Sequence, residues 1–244
     1  MTVSRSTIRS WARPSDGASA VISSTTGSPT TGTFTGTDNE LYNYWKWTAN
    51  GSCTFSTAGR VKVLVIGGGG GSGNDGAGGG GGYEATDLNV LTGEAYPVSI
   101  GSGGAGAADT AANGGNSNFG PILALGGGSG AGAIRAATTG ASGGGGGRGA
   151  AAGAAALNTY GPQGFAGGTS AYTTGIGAGG GAGAAATDSL YGLGKTWING
   201  VEYSRGGANT GGYILLATPS NSGYGANSYN MTGAAGVVII AIRV

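Results

Sequence analysis

Hydrophobic and polar residues alternate with a period of two in the first third of the chain. ELYNYWKWT (40–48) alternates and is rich in aromatics, SCTFSTAG (52–59) follows the turn pair Asn50-Gly51, and VKVLVI (61–66) runs nearly unbroken in aliphatic residues. These three segments predict strands joined by tight turns, the last buried on both faces. Further strands are predicted at 83–91, 95–100, 120–127, 213–218 and 237–244, with a hairpin over 195–204 turning at Asn199-Gly200. Residues 1–36, rich in Ser, Thr and Gly and carrying Pro14 and Pro29, read as an arm preceding a domain over 37–244. Helix signals are weak throughout. The alanine clusters at 150–156 and 184–186 are flanked by glycines that each cost about 1 kcal/mol in a helix.

Between the strands lie tracts of a different kind. Glycine accounts for 60 of 244 residues, and only six of these precede position 67. The rest fill runs such as GGGGGSGNDGAGGGGG (67–82), GASGGGGGRGAAAG (140–153) and GAGGGAGAAA (177–186). Glycine loses the most backbone entropy on ordering and brings no side chain to bury, so such tracts need a specific source of order. Collagen is excluded, because the chain lacks a strict Gly-X-Y period and has only six prolines. Flexible linkers lack the aliphatic segments that punctuate these runs. An arginine-glycine RNA-binding segment would need many repeats, and only Gly147-Arg148-Gly149 approaches one.

Two readings remain. One is ordinary β-structure with long glycine loops. The other is a bundle of polyglycine-II helices, extended strands with three residues per turn whose N–H and C=O groups all point outward to neighbouring strands. Only glycine, with occasional Ala or Ser, lets backbones approach closely enough, and every backbone group then finds a partner. The preferred fold class is all-β with negligible α-helix: a sandwich-like frame of strands enclosing a polyglycine-II bundle.

Charge and chemistry narrow the function. Charged residues make up 9% of the chain, against about 25% in average soluble proteins, and the net charge is +1. That balance gives no electrostatic reason to expect a nucleic-acid partner. With no histidine and one cysteine, Cys53, the chain lacks the commonest general base, the commonest metal ligand and any intrachain disulfide. VVIIAI (237–242) is far shorter than the roughly 20 residues needed to cross a bilayer, so no membrane insertion is expected. Residues 1–30 show no apolar core typical of a signal peptide, which predicts a protein used without passing a secretion route.

Three motifs invite enzymatic or metal readings. VLVIGGGGGSG (63–73) resembles a dinucleotide fingerprint, but NDGAGGGGG follows where a helix would have to begin. GGSGNDGAG (70–78) loosely matches one calcium nonapeptide without the tandem copies that architecture requires, so Asn74-Asp75-Gly76 reads as a turn between two glycine tracts. Glu84, Asp87 and Glu94 read as a solvated sheet face rather than as paired acid–base carboxylates. No catalytic residues, metal or cofactor are expected.

The aromatics carry more information. Trp197 and Tyr213 sit in strand-like segments and suit a core. Tyr160, Phe165, Tyr172, Tyr191, Tyr224 and Tyr229 lie among Asn, Ser, Thr and Gln where tracts must turn. Tyrosine among small polar residues is also the composition of recognition loops, so these six are candidate receptor-contact residues. Arg5, Arg9 and Arg13 recur every four residues, and with Trp11 they are candidate assembly contacts.

The segments YNYWKWTANGSCTFSTAGRVKVLVIGGGGG (42–71), GGGGGYEATDLNVLTGEAYPVSIGSGG (78–104), GGNSNFGPILALGGG (114–128) and GAAGVVIIAIRV (233–244) together resemble the glycine-rich domain of bacteriophage tail-fibre and other virion proteins. The resemblance covers roughly residues 42–244 and rests on the order of these anchors. More distantly, the chain is similar to the tail-fibre adhesins of T-even-type phages, whose polyglycine-II bundles present turn loops to the host receptor; its opening residues do not resemble their fibre-attachment domain. The resemblance implies a non-enzymatic structural protein on the exposed virion surface, tail or capsid exterior. A tail-fibre or receptor-binding role is the first expectation, and a capsid or tail decoration or cement protein the alternative. Expected partners are other virion proteins through the N-terminal arm, a host surface glycan or outer-membrane protein, and further copies of the chain, with a trimer plausible.

Overall fold

A computed structural model describes residues 19–132, 135–147, 157–158, 161–169, 177–187, 190–208, 219–227 and 229–244. The fold is all-β, and among the described residues there is no helix. Two five-stranded antiparallel sheets face each other. The first contains β2 (Thr30–Thr35), β3 (Leu41–Trp47), β5 (Gly59–Ile66), β6 (Tyr83–Val90) and β14 (Val237–Arg243), in the order β2-β3-β14-β5-β6. The second contains β1 (Val21–Thr26), β4 (Gly51–Thr57), β7 (Ala95–Ser99), β8 (Ser117–Phe119) and β9 (Ile122–Ala124), in the order β1-β4-β7-β8-β9. Two short ladders complete the set: β10 (Leu157–Asn158) with β11 (Gly161–Pro162), and β12 (Lys195–Thr196) with β13 (Glu202–Tyr203).

Side-chain alternation explains why the sheets stack. In β5 the odd residues Val61, Val63 and Val65 face the second sheet, and in β14 the even residues Val238, Ile240 and Ile242 do so. They meet Cys53, Phe55, Tyr96, Val98 and Phe119 from the second sheet. Tyr96 stacks on Phe119 at 5.5 Å between ring centroids and meets Phe55 edge-on at 5.6 Å. The opposite registers, Leu64 and Ile66 with Val237, Ile239 and Ala241, face outward under Trp197 and Tyr203 of the β12–β13 hairpin. VKVLVI is therefore buried on both faces, as its composition predicts, and each fully buried Val or Ile contributes about 1.5–3 kcal/mol.

The structure departs from expectation in two places. Residues 19–36 are not an arm: β1 pairs with β4 and β2 with β3, so the β-frame begins before the expected boundary at 37. Their Ser/Thr-rich composition suits these edge positions, where most of the strand residues are exposed. The segment 120–127 is not one strand. Gly120, at φ +50°, turns the chain between β8 and β9, and the glycine tract begins soon after Ala124. The hairpin at 195–204 forms, with Gly200 at φ +75° in its turn. The strand expected at 213–218 lies outside the described residues.

The glycine tracts leave the ends of these strands and return to them. Tract 67–73 extends β5, turns at Asn74-Asp75, and comes back as 76–82 into β6. Its backbone hydrogen bonds change partner with a period of three. Gly67, Gly70 and Gly73 donate to the carbonyls of Gly82, Gly79 and Gly76; Gly68 and Gly71 donate to Gly115 and Ala112; Gly69 and Ser72 donate to Ala234 and Met231. Its own carbonyls accept from three further segments: Gly68 and Gly71 from Gly127 and Gly130, Gly69 and Ser72 from Gly104 and Ala107, and Gly70 from Ala226.

Tract 76–82 repeats the rule. Ala77 and Gly80 donate to Gly177 and Gly180, Gly78 and Gly81 to Ala226 and Gly223, and Gly79 and Gly82 to Gly128 and Leu125. A β-ladder would return to the same neighbour every second residue; here the same neighbour returns every third. Each of these inner tracts therefore has six neighbours, three receiving its N–H groups and three supplying donors to its carbonyls. This arrangement satisfies backbone groups that are buried away from water.

Glycine is required here for proximity. Apart from Gly223, none of the described tract glycines has a left-handed φ. A Cβ added at Gly69 would stand 2.8 Å from the Gly225 nitrogen, and one at Gly78 would stand 2.6 Å from the Gly70 carbonyl carbon and nearer still to its oxygen. The tracts thus pack backbone against backbone.

Candidate functional site

A core of glycine and alanine presents little chemistry, so any site must come from the turns and from side chains around the tracts. The turns farthest from the sandwich gather at one end. Asn74 donates its N–H to Ala108 O, Asp75 to Ala131 O, and Tyr229 and Asn230 both donate to Gly73 O. Four separate turns therefore meet there. Tyr229 and Asn230 hold left-handed backbones at φ +73° and +61°, and Tyr229 is 49% exposed. Of the four candidate contact residues that are described, Tyr229 is the one placed at this tip.

The other described candidates, Phe165, Tyr191 and Tyr224, sit elsewhere. Phe165 is exposed along the side of the bundle, its backbone hydrogen-bonded to Gly181 and Gly143 beside tract 177–186. Leu190 and Leu193, also exposed, belong to the segment on the other side of that tract. Tyr191 and Tyr224 come together on one cation: the Arg205 guanidinium carbon lies 4.7 Å from the Tyr191 ring centroid and 4.5 Å from that of Tyr224. Tyr160, Tyr172 and the expected assembly contacts Arg5, Arg9, Trp11 and Arg13 lie outside the described residues.

Tyr224 corrects an expectation. Expected at a contact surface, it is 6% exposed and donates its hydroxyl to Glu202 Oε2 at 3.2 Å. The physical reason is its place at the junction of frame and bundle. Residues 203–206 pass from β13 into the lattice, where Ser204 N–H bonds to Ser222 O and Gly225 N–H to Arg205 O. Arg205 and Glu202 thus pin Tyr224 across this junction, each cation–π contact worth about 0.5–2 kcal/mol. Burial, reinforced by the Glu202 carboxylate, pushes the Tyr224 hydroxyl up to about 12.

The carboxylates named in the sequence take separate structural roles. Asp87 pairs with Arg60 at 2.6 Å and Lys62 at 3.5 Å. Glu84 accepts from Gln163 Nε2 at 2.6 Å, and Glu94 accepts from the Tyr96 hydroxyl at 3.3 Å. Among the described residues, no three or more His, Cys, Asp or Glu side chains gather as a metal site. Cys53 is buried in the sandwich core, and its thiol is pushed up to about 12 by that burial. Asn74-Asp75 forms the turn read from sequence, closed by Gly73 N–H to Gly76 O, and the glycines of VLVIGGGGGSG enter the lattice rather than a helix.

Two side chains that join tract to frame escaped the sequence reading. Gln163 is 2% exposed and joins tract to frame by accepting from Leu125 N and donating to Leu123 O and Glu84. Arg205 gave one signal, a lone cation in SRGG within a charge-poor region; nothing in sequence named its partners Tyr191 and Tyr224.

A family model described as a glycine-rich domain matches residues 45–243. Neither the curated proteins nor the solved structures contain a match to this chain.

Proposed function

This chain belongs to the glycine-rich domain family over residues 45–243, and on that premise we propose that it is a non-enzymatic structural protein of the bacteriophage virion exterior, acting in the tail-fibre or receptor-binding apparatus. We further infer that its tracts adopt the polyglycine-II conformation. The observation that carries the proposal is the lattice itself. Hydrogen bonds that return to the same neighbour every third residue are what a helix of three residues per turn requires.

Such a lattice is a rigid rod end with almost no side-chain chemistry of its own. It serves function by fixing the turns at its tip, where Tyr229 and Asn230 present polar and aromatic groups at low entropic cost. The order of strand and glycine anchors resembles the phage virion domains, which supports the same reading.

The test is immunogold labelling of purified particles with antiserum to this chain, paired with adsorption of particles carrying Tyr229→Ala. Labelled tail fibres and lost adsorption with intact particles support the receptor-binding role. Labelled particles with normal adsorption but fragile capsids or tails support the decoration role. Absence of the chain from purified particles overturns the virion reading.

A further inference from the structure

A cleft of about 480 Å³ opens on the outer face of the first sheet, between β5 and β6 on one side and the β12–β13 hairpin on the other. It lies outside the tip and the glycine lattice. Small-molecule sites span about 300–1,000 Å³, so the space suits a compact ligand. Its depth comes from Ala85, a small exposed residue between Tyr83 and Asp87 on the edge strand. Lys62 and Asp87 form one wall, and Thr196 and Trp197 of the hairpin form the other.

The walls offer two kinds of recognition. Tyr83 supplies aromatic surface above Trp197, which is only 5% exposed, and Thr37, Thr86 and Thr196 supply hydroxyls. That mixture matches a ring that is apolar on its C–H face and polar at its rim. The charges are unequal. Asp87 is already engaged by Arg60 and Lys62. Lys195 Nζ lies 5.5 Å from the Tyr83 ring centroid and forms no ion pair among the described residues. The nearby acids are used elsewhere: Glu84 accepts from Gln163, and Glu202 accepts from Gly194 N–H and the Tyr224 hydroxyl. Two cations thus stand against Asp87, and a third, Lys195, stands over Tyr83 at the cleft's edge, in a chain with only 11 basic residues. A lysine without an ion-pair partner at the edge of such a cleft attracts an anion.

We propose that this cleft binds an acidic saccharide, a sugar ring carrying a carboxylate. The ring lies against Tyr83, the hydroxyls meet the threonines, and the carboxylate meets Lys62 and Lys195. The assignment stands independently of any virion role.

The test uses the purified chain on an array of carboxylated oligosaccharides (oligogalacturonate, oligoguluronate, hyaluronan fragments and sialyl-oligosaccharides) beside neutral oligosaccharides of galactose, glucose and N-acetylglucosamine. Titration calorimetry with the best binder then follows at two salt concentrations. The expected result is selective binding of carboxylated sugars that weakens with salt. Lys195→Gln and Ala85→Trp should each raise Kd by about tenfold or more, equivalent to about 1.4 kcal/mol, without changing Tm. Lys62→Gln serves where Ala85→Trp lowers Tm. No binding across the array, equal binding of neutral sugars, or binding unchanged by Lys195→Gln would overturn the proposal.

Discussion

Replacing Gly78 by alanine adds one methyl group to a chain that tolerates alanine at many positions, yet it should be severe. Gly78 N–H donates to Ala226 O at 2.8 Å, and Gly78 O accepts from Gly207 N–H at 2.8 Å. The new Cβ would stand 2.6 Å from the Gly70 carbonyl carbon and 3.0 Å from the Ala226 nitrogen. All of these are backbone atoms, so no side chain can swing aside. Relief requires tracts 67–73 and 76–82 to part by roughly an ångström, which ruptures bonds such as Gly70 N–H to Gly79 O at 2.9 Å.

Each buried amide or carbonyl left unpaired costs about 1–3 kcal/mol. Two or three such groups outweigh the gain of about 0.4–1 kcal/mol from a less flexible unfolded chain. The net loss is therefore about 3–5 kcal/mol, a large share of the 5–15 kcal/mol by which typical domains are stable. Gly93→Ala is the control. It has open space for a Cβ but a φ of +77°, and a left-handed alanine costs about 1–2 kcal/mol. Equilibrium denaturant unfolding, followed by the fluorescence of Trp45, Trp47 and Trp197, measures both. If Gly78→Ala costs no more than Gly93→Ala, backbone-to-backbone packing is not what holds the tracts.

Three further outcomes follow from the same structure. Ala178→Leu, at a fully buried lattice position, should abolish folding or cost more than the 1–3 kcal/mol usual for overpacking, whereas Ala185→Leu at an exposed position should stay within about 0.5 kcal/mol in thermal unfolding; equal effects would refute the packing contrast. Arg205→Met removes two cation–π contacts and should destabilise by about 1–3 kcal/mol, with Tyr224→Phe milder, so a neutral Arg205→Met in denaturant melts would remove Arg205 as the junction pin. Tyr42, Tyr83 and Tyr224 are each held up to about 12, burial being the largest cause, against an ordinary value of 10. Because the folded value is the raised one, their contribution is complete below pH 10 and is lost as pH rises from 10 to 12; near-ultraviolet phenolate titration showing all tyrosines ionising at the ordinary value in the folded protein would contradict it.

The frame was largely readable because its strands declare themselves by period. Aromatics alternate in β3, and β5 and β14 are nearly unbroken aliphatic runs that a doubly covered strand can bury. β1 and β2 were hidden, because VISSTT and TTGTFT contribute little to the core and gain order from pairing with β4 and β3. The β8–β9 turn was signalled by Gly120-Pro121, but the aliphatic run ILAL after it read as one continuous strand. The tracts announced close packing through their glycine, but not which tract meets which. Gly67 meeting Gly82 follows from a local turn, whereas Gly69 meeting Ala234 spans most of the chain and has no local signal. Tyr224 looked like a loop residue because its partners Glu202 and Arg205 lie some twenty residues earlier.

The central claim is that glycine tracts bond to their neighbours with a period of three. Scalar couplings across hydrogen bonds in isotope-labelled protein read that pattern directly. The account predicts couplings from the amides of Gly67, Gly70 and Gly73 to the carbonyls of Gly82, Gly79 and Gly76, and from those of Gly68 and Gly71 to Gly115 and Ala112. Couplings to one neighbour at every second residue, or tract amides that exchange with solvent as freely as an unfolded chain while β5 and β14 stay protected, would contradict it.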